Sequence, residues 1–124
     1  ERLSQALERL RSHEPSPMFC LRTSSGNRFV AERQILCVLA QGDYTEVWLD
    51  DGTSELVDVP MYTWEERLGG MFVRVHRSSL VRLDAISTLD RSLSGTYSLR
   101  VHGVDQTIKV SRQAAKMLRG RFVA

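Results

Sequence analysis

The side chains best suited to chemistry in this 124-residue chain lie close together, between Phe72 and Leu83. This stretch holds one histidine, three arginines and two adjacent serines among β-branched residues. Nucleophilic catalysis would need His76, a serine and Asp84 to form a triad, but the strained Gly-x-Ser-x-Gly turn that often presents such a serine is missing. The clustered cationic groups instead suit the binding of a polyanion. The sequence therefore predicts a binding protein without catalytic residues.

Histidine and cysteine spacing does not indicate a metal site. His13, His76 and His102 are far apart, and Cys20 and Cys37 are seventeen positions apart without a Cys-x-x-Cys pair. We therefore expect no metal, and no glycine-rich phosphate loop suggests a cofactor. Both cysteines fall in apolar, strand-like segments, which favours buried free thiols in a reducing compartment over a disulfide.

Basic charge is concentrated in the second half of the chain. Residues 1–70 hold seven Lys/Arg against twelve Asp/Glu, whereas residues 71–124 hold ten against three. All but two of the basic residues are arginines, which suit bidentate contacts with phosphate and with guanine edges. A solvated basic surface without a partner would have the same composition, so charge alone leaves both interpretations open.

Recognition of a nucleic acid needs basic groups for phosphates and a few rigidly placed polar groups for base edges. Four predicted turns or strand ends carry such groups. They are the segments Gly42–Tyr44, His76–Ser79, Arg91–Ser94 and Val110–Gln113. No pair of adjacent strands carries a platform of aromatic side chains, which favours duplex DNA over single strands or RNA.

Alternating apolar residues and turn signals predict the elements that hold these segments. The predicted strands are Met18–Thr23, Arg28–Val30, Ile35–Ala40, Tyr44–Leu49, Glu55–Val59, two short runs within 72–83, Ala85–Leu89, Thr96–Val101 and Gln106–Val110. A helical turn is expected at 31–34. Short helices are expected at 61–68 and, after the N-cap Ser111, at 112–119, ending at Gly120. Connections too short for parallel crossovers predict a mainly β fold of antiparallel sheets with peripheral helices.

Residues 1–17 have a different pattern. Leu3, Leu7 and Leu10 have helical spacing, and Pro15 and Pro17 then end the helix. We expect an interdomain linker helix with a proline-rich stop, followed by one domain over 18–124. A coiled-coil seam is a weaker alternative. The missing initiator methionine suggests a fragment of a longer protein. The sequence has no apolar run long enough to span a membrane and no signal-peptide pattern, so we expect a cytoplasmic location.

Two motifs resemble the LytTR-type DNA-binding domain. The first is Phe72-x-Arg74-Val75-His76-Arg77-Ser78-x-Leu80-Val81, followed by Ile86, and the second is Ile108-x-Val110-Ser111-Arg112 before a terminal helix. The similarity covers roughly residues 18–122. It implies an elongated arrangement of small antiparallel sheets that acts as the output domain of a bacterial transcription regulator, for example in a two-component system. The implied partners are double-stranded promoter DNA, a second copy on tandem sites and an upstream regulatory domain.

The resemblance also implies roles for single residues. Arg77 and Arg112 match base-reading positions, and Asp43 or Tyr44 occupies the turn that supplies a third reader. Loops of the family enter successive major grooves. Arg82 departs from the family, which commonly has asparagine there. Residues expected to contact phosphate are Arg74, His76, Ser78, Ser79, Arg82, Arg91, Lys109, Ser111, Gln113, Lys116 and Arg119.

A second function remains open from the residues alone. A small β-rich protein-interaction module could dock an acidic partner on the same basic surface. Binding of duplex DNA that weakens steeply with salt, yet still prefers one sequence, would distinguish the first function from the second.

Overall fold

Ten β-strands and two α-helices make up residues 16–121, the part of the chain that this computed structural model describes. In chain order the elements are β1 (Met18–Thr23), β2 (Gly26–Ala31), β3 (Ile35–Gln41), β4 (Tyr44–Leu49), β5 (Ser54–Val57), α1 (Met61–Arg67), β6 (Phe72–His76), β7 (Ser79–Arg82), β8 (Ile86–Arg91), β9 (Tyr97–Val101), β10 (Ile108–Val110) and α2 (Arg112–Arg121). Short 3₁₀ turns precede β3 and β8. The predicted helix of residues 3–12 lies outside the described residues, as does the predicted linker apart from Ser16 and Pro17.

The strands form three antiparallel sheets. One has two strands in the order β1-β2, one has five in the order β5-β4-β3-β7-β6, and one has three in the order β10-β9-β8. The prediction of a mainly β fold of small antiparallel sheets with short helices is confirmed. Neither helix within residues 16–121 is long and apolar enough to cross a membrane.

Apolar side chains cover both faces of the five-stranded sheet. Val38 and Leu80 belong to a cluster with α1 and the β1-β2 hairpin. Cys37 and Val81 belong to a second cluster, shared with the three-stranded sheet and α2. Successive residues of a strand point to opposite faces, so central strands covered on both sides must be apolar throughout. Full burial of each such side chain contributes roughly 1.5–3 kcal/mol.

Several local predictions were wrong. β8 runs from Ile86 to Arg91 rather than from Ala85 to Leu89, and β10 begins at Ile108 rather than at Gln106. Three other differences have an identifiable reason. β5 ends at Val57 because the carbonyl of Val59 accepts the Thr45 hydroxyl and the chain leaves the sheet. α2 continues through Gly120 to Arg121, since that glycine does not adopt a left-handed conformation. Cys20 is exposed rather than buried, because it lies on the uncovered face of a two-stranded sheet whose other face holds Leu21.

Cys37 follows the prediction. It is a buried free thiol, and burial raises its pKa to about 12. The thiol is therefore protonated at neutral pH and unreactive as a nucleophile.

One buried polar contact anchors α1 to the five-stranded sheet. Thr45 is 2% exposed, and its hydroxyl donates to the Val59 carbonyl at 2.8 Å. The same hydroxyl accepts the indole N–H of Trp64 at 2.9 Å. The Trp64 N–H, the Thr45 hydroxyl and the Val59 carbonyl thereby each have a partner, as burial requires.

The variant Thr45→Val should lower the free energy of unfolding by about 2 kcal/mol or more, because it leaves a buried N–H and a carbonyl without a partner at about 1–3 kcal/mol each. Urea unfolding monitored by tryptophan fluorescence measures the change. Thr107→Val, at an exposed position, is the control and should leave stability nearly unchanged. Equal stability of both variants would contradict the anchoring role.

The turn between β6 and β7 is closed by a histidine. His76 Nδ1 accepts the backbone N–H of Ser78 at 3.1 Å and lies 2.8 Å from the Ser78 hydroxyl. Burial, together with the nearby charges of Lys109, Arg77 and Arg74, lowers the pKa of His76 below its ordinary value. The neutral imidazole, which can accept at Nδ1, is the form that the folded protein prefers.

This preference predicts a pH dependence of stability. Because the folded chain binds the His76 proton less readily than the unfolded chain, the histidine's contribution is complete above about pH 6.5 and is lost as pH falls through the lowered pKa. His76→Asn keeps an acceptor for the Ser78 N–H but does not titrate. Lowering the pH from about 7.5 to about 5 should therefore destabilise the wild type more than the variant, as measured by thermal unfolding. Parallel pH profiles would refute this role.

Candidate nucleic-acid interface

Strand register brings two of the four predicted segments side by side. In the β3-β4 hairpin Gln41 pairs with Tyr44, so Gly42 and Asp43 form its turn. β7 pairs with β3 on the other side, and the Ala40 N–H donates to the carbonyl of Ser78 at 2.9 Å. The turn that carries Asp43 and the turn between β6 and β7 are therefore neighbours at one end of the five-stranded sheet.

The other two segments continue from this end. The N–H of Ser111 donates to the carbonyl of Val75 at 2.8 Å, which joins the start of α2 to the end of β6. In the three-stranded sheet Val110 pairs with Tyr97, and Tyr97 pairs with Arg91. The loop 92–96 thus lies next to the helix start in space. We call the four segments together the loop row.

The start of α2 is capped as predicted. Ser111 Oγ accepts the N–H of Ala114 at 3.0 Å. Ala114, Ala115 and Leu118 are buried, as the sequence predicted. The opposite side of the helix is exposed and cationic. It carries Arg112, Gln113, Lys116 and Arg119.

Three guanidinium groups gather around the loop 92–96. Those of Arg91 and Arg119 lie 5.9 and 5.6 Å from the centre of the Tyr97 ring. A β-carbon at Gly95 would lie 3.8 Å from Arg91 Nη2 and 3.9 Å from Arg112 Nη2. Among residues 16–121, no ion pair joins these three arginines to a carboxylate. Their charge is therefore available to an anion.

The loop 92–96 is closed by its own hydroxyl groups. Ser92 Oγ lies 2.7 Å from both Ser94 Oγ and Thr96 Oγ1. The backbone N–H of Ser92 donates to the carbonyl of Thr96, and that of Gly95 donates to the carbonyl of Ser92. Gly95 has a φ of 90°, a left-handed conformation that favours glycine. The loop is thus a compact turn with hydroxyls on its surface.

Arg77 forms the tip of the β6-β7 turn and is exposed. Lys109 is exposed on β10 and lies near enough to His76 to lower its pKa. His76 and Ser78 are half-buried and bind each other. Among residues 16–121 no ion pair involves Arg77, so the turn offers this guanidinium at its tip and one lysine beside it.

Three residues predicted to contact phosphate are buried or bonded to other groups of the protein. Ser79 is 2% exposed. Arg82 donates to the carbonyl of Glu32 and stacks on the Phe72 ring, 5.3 Å from its centre. Arg74 forms an ion pair with Glu65 at 2.6 Å and donates to backbone carbonyls of the β6-β7 turn. This geometry argues against phosphate contacts for all three.

Sequence patterns did not mark two residues that shape the loop row. Tyr97 packs against two arginines, and only the register of β8 and β9 brings Arg91 to it. Glu65 lies on a helix nine positions before Arg74, and no local pattern links the two.

The described residues do not form a metal site, and the cavity found among them lies away from the loop row. No group of three His, Cys, Asp or Glu side chains within 16–121 could hold a metal ion. A cavity of about 770 Å³ lies between β1, the end of β5 and α1, and it shares no lining residue with the loop row.

Comparisons with known proteins identify the family. The family model described as the LytTr DNA-binding domain matches residues 25–122. A positive alginate biosynthesis regulatory protein of Pseudomonas aeruginosa is 29% identical over 100 residues, which are 80% of this chain and 40% of that protein. This chain thus spans less than half the length of that relative.

A solved structure supports the same fold. It is the LytTr DNA-binding domain of a methyl-accepting/DNA response regulator from Bacillus cereus, and it is 21% identical to this chain. The two superpose with a TM-score of 0.69 over 83% of this chain and 94% of the other. The predicted resemblance is confirmed. The chain belongs to the LytTr DNA-binding domain family, whose members are non-catalytic DNA-binding domains.

Proposed function

We propose that the loop row reads duplex promoter DNA in the major groove, with Arg77 and Arg112 as the base-reading residues. The observation that carries this proposal is the hydrogen bond between the Ser111 N–H and the Val75 carbonyl. It holds the start of α2 beside the strand that leads into the Arg77 turn. Two exposed arginines on adjoining rigid elements suit bidentate contacts with guanine O6 and N7.

A third reader comes from the turn beside Arg77. Asp43 and Tyr44 are both exposed, Tyr44 by 44%. An aspartate accepts hydrogen bonds, so Asp43 suits the amino group of cytosine and disfavours a nearby phosphate. The tyrosine hydroxyl both donates and accepts, and is less selective.

Phosphate contacts come from exposed groups around these readers, and from the half-buried His76 and Ser78. A protein that neutralises phosphates with Lys and Arg releases counterions, so its affinity depends on salt. The helix start adds free backbone N–H groups, which favour phosphate. The proposed contacts are His76, Ser78, Arg91, Lys109, Ser111, Gln113, Lys116 and Arg119. Arg74 and Arg82 are left out because their guanidinium groups are bonded within the protein, and Ser79 is left out because it is buried.

The wider assembly is also a proposal. We propose that two copies bind tandem repeats through successive major grooves, and that an upstream regulatory domain controls the output in the cytoplasm. The relative from Pseudomonas aeruginosa supports the second point, because it is a regulatory protein and this chain covers only 40% of it. Docking of an acidic protein, the alternative from the sequence, has no observation of its own in its favour.

Arg77→Ala and Arg112→Ala should each weaken binding to a duplex selected from random DNA by about 1–3 kcal/mol, and flatten the sequence preference. Gel-shift titrations against the selected duplex and a random duplex measure both effects. Arg22→Ala removes an exposed arginine from β1, outside the loop row, and should have little effect. Unchanged affinity of either test variant would remove that arginine from the set of base readers.

Lys116→Ala should weaken binding to all duplexes alike, because a phosphate contact carries no sequence information. The slope of log affinity against log salt should fall by about one. Titrations of the selected and random duplexes at several salt concentrations provide the measurement. A loss confined to the selected duplex would show instead that Lys116 reads sequence.

A further inference from the structure

Arg74 makes three contacts that join the β6-β7 turn to α1. Its Nη1 donates to Glu65 Oε1 at 2.6 Å, its Nε to the His76 carbonyl at 3.0 Å, and its Nη2 to the Arg77 carbonyl at 2.5 Å. The three contacts use all three nitrogens of one planar group. The guanidinium therefore bridges a helix and the backbone of the turn.

These contacts hold one peptide unit at both of its polar groups. The unit between Arg77 and Ser78 contains the carbonyl of Arg77 and the N–H of Ser78. Arg74 donates to that carbonyl, and His76 Nδ1 accepts from that N–H. The carbonyl of the following residue, Ser78, accepts the Ala40 N–H from β3. Rotation of the peptide unit would break both contacts at once, so the backbone that carries Arg77 has one orientation.

The turn needs this support because the strand ladder stops before it. The register between β6 and β7 shifts between Arg74 and His76, and only Arg77 and Ser78 connect the strands. Carbonyls at such a turn have no partner in the ladder, and the guanidinium supplies one. A lysine would keep the charge but lacks the planar fork that can reach three acceptors.

Glu65 fixes the guanidinium from the other side. Its neighbour Trp64 is 3% exposed and bonded to Thr45, so this part of α1 is anchored in the core. The ion pair is half-exposed and contributes little stability by itself. Its geometric effect is to hold the guanidinium plane against the turn.

We propose that Arg74 and Glu65 are positioning residues, which fix the Arg77–Ser78 peptide unit and thereby the direction in which Arg77 meets the DNA. This inference rests on the proposed function, since it assigns to the pair the orientation of a base reader. Neither residue touches the DNA. Pre-organising a reading side chain reduces the ordering cost of binding.

Glu65→Gln separates this role from simple electrostatics. Removing an acidic charge from a DNA-binding domain should leave affinity unchanged or raise it, if charge is all that matters. A positioning role predicts the opposite for the selected duplex. Glu66 is the matched control, because it is the adjacent exposed glutamate of the same helix and has no ion pair among the described residues.

The experiment measures affinity for the selected and random duplexes with Glu65→Gln, Glu66→Gln, Arg74→Lys and Arg77→Ala. We expect Glu65→Gln and Arg74→Lys to lower the preference for the selected duplex by about fivefold or more, toward the loss given by Arg77→Ala. Random-duplex affinity should stay equal or rise for Glu65→Gln, and Glu66→Gln should keep the full preference. The double variant Glu65→Gln/Arg77→Ala should lose no more preference than Arg77→Ala alone.

The outcomes distinguish this inference from the proposed function. If Arg77→Ala loses the preference while Glu65→Gln and Arg74→Lys keep it, the positioning role is overturned and the base-reading role of Arg77 stands. If Arg77→Ala itself keeps the preference, the proposed role of Arg77 fails, and the positioning role fails with it. Thermal unfolding of each variant identifies any that do not fold. Glu65→Gln, a substitution at an exposed position, keeps the test decisive if Arg74→Lys is unstable.

Discussion

The junction between the five-stranded and three-stranded sheets is the constraint on which the DNA-reading surface depends. β6 is an edge strand, and the carbonyl of Val75 near its end accepts the N–H of Ser111. Beneath this bond, Val75, Val110 and Ala115 pack in one buried cluster. Since buried apolar packing resists deformation, the separation between the Arg77 turn and the start of α2 is fixed by the core rather than by the loops. The DNA-facing groups are therefore spaced by the fold itself.

Local patterns predicted most of the fold, because most of its signals are local. The bounds of β1 and β4 follow from alternation of apolar and polar residues, and the start of α2 follows from the cap at Ser111. The Gly42–Asp43 turn is likewise set by short-range backbone preferences. One error falls where a distant contact overrides the local pattern. β5 stops short because Thr45 takes the carbonyl of Val59.

Side-chain roles within the candidate site were harder to predict, because a sequence shows which residues are charged but not where they point. Arg74, Arg77 and Arg82 lie within nine positions, yet only Arg77 is exposed. Arg74 forms an ion pair with Glu65, nine residues earlier on a helix. Arg82 donates a hydrogen bond to the carbonyl of Glu32, fifty residues earlier. Such partners are set by tertiary packing. A count of basic residues in this stretch thus overestimates how many of them are free to meet phosphate.

Rigidity of the individual turns then explains how loops can read DNA in the absence of a long recognition helix among the described elements. Three of the four segments of the loop row are closed by their own hydrogen bonds: His76 with Ser78, Ser92 with Thr96, and Ser111 with Ala114. A loop ordered before binding loses less conformational entropy when it meets its target. Specificity further requires that a wrong base leave a rigid polar group unpaired, and a mobile loop could adjust to avoid that cost. The same hydrogen bonds that close the turns therefore limit the sequences that this domain can accept.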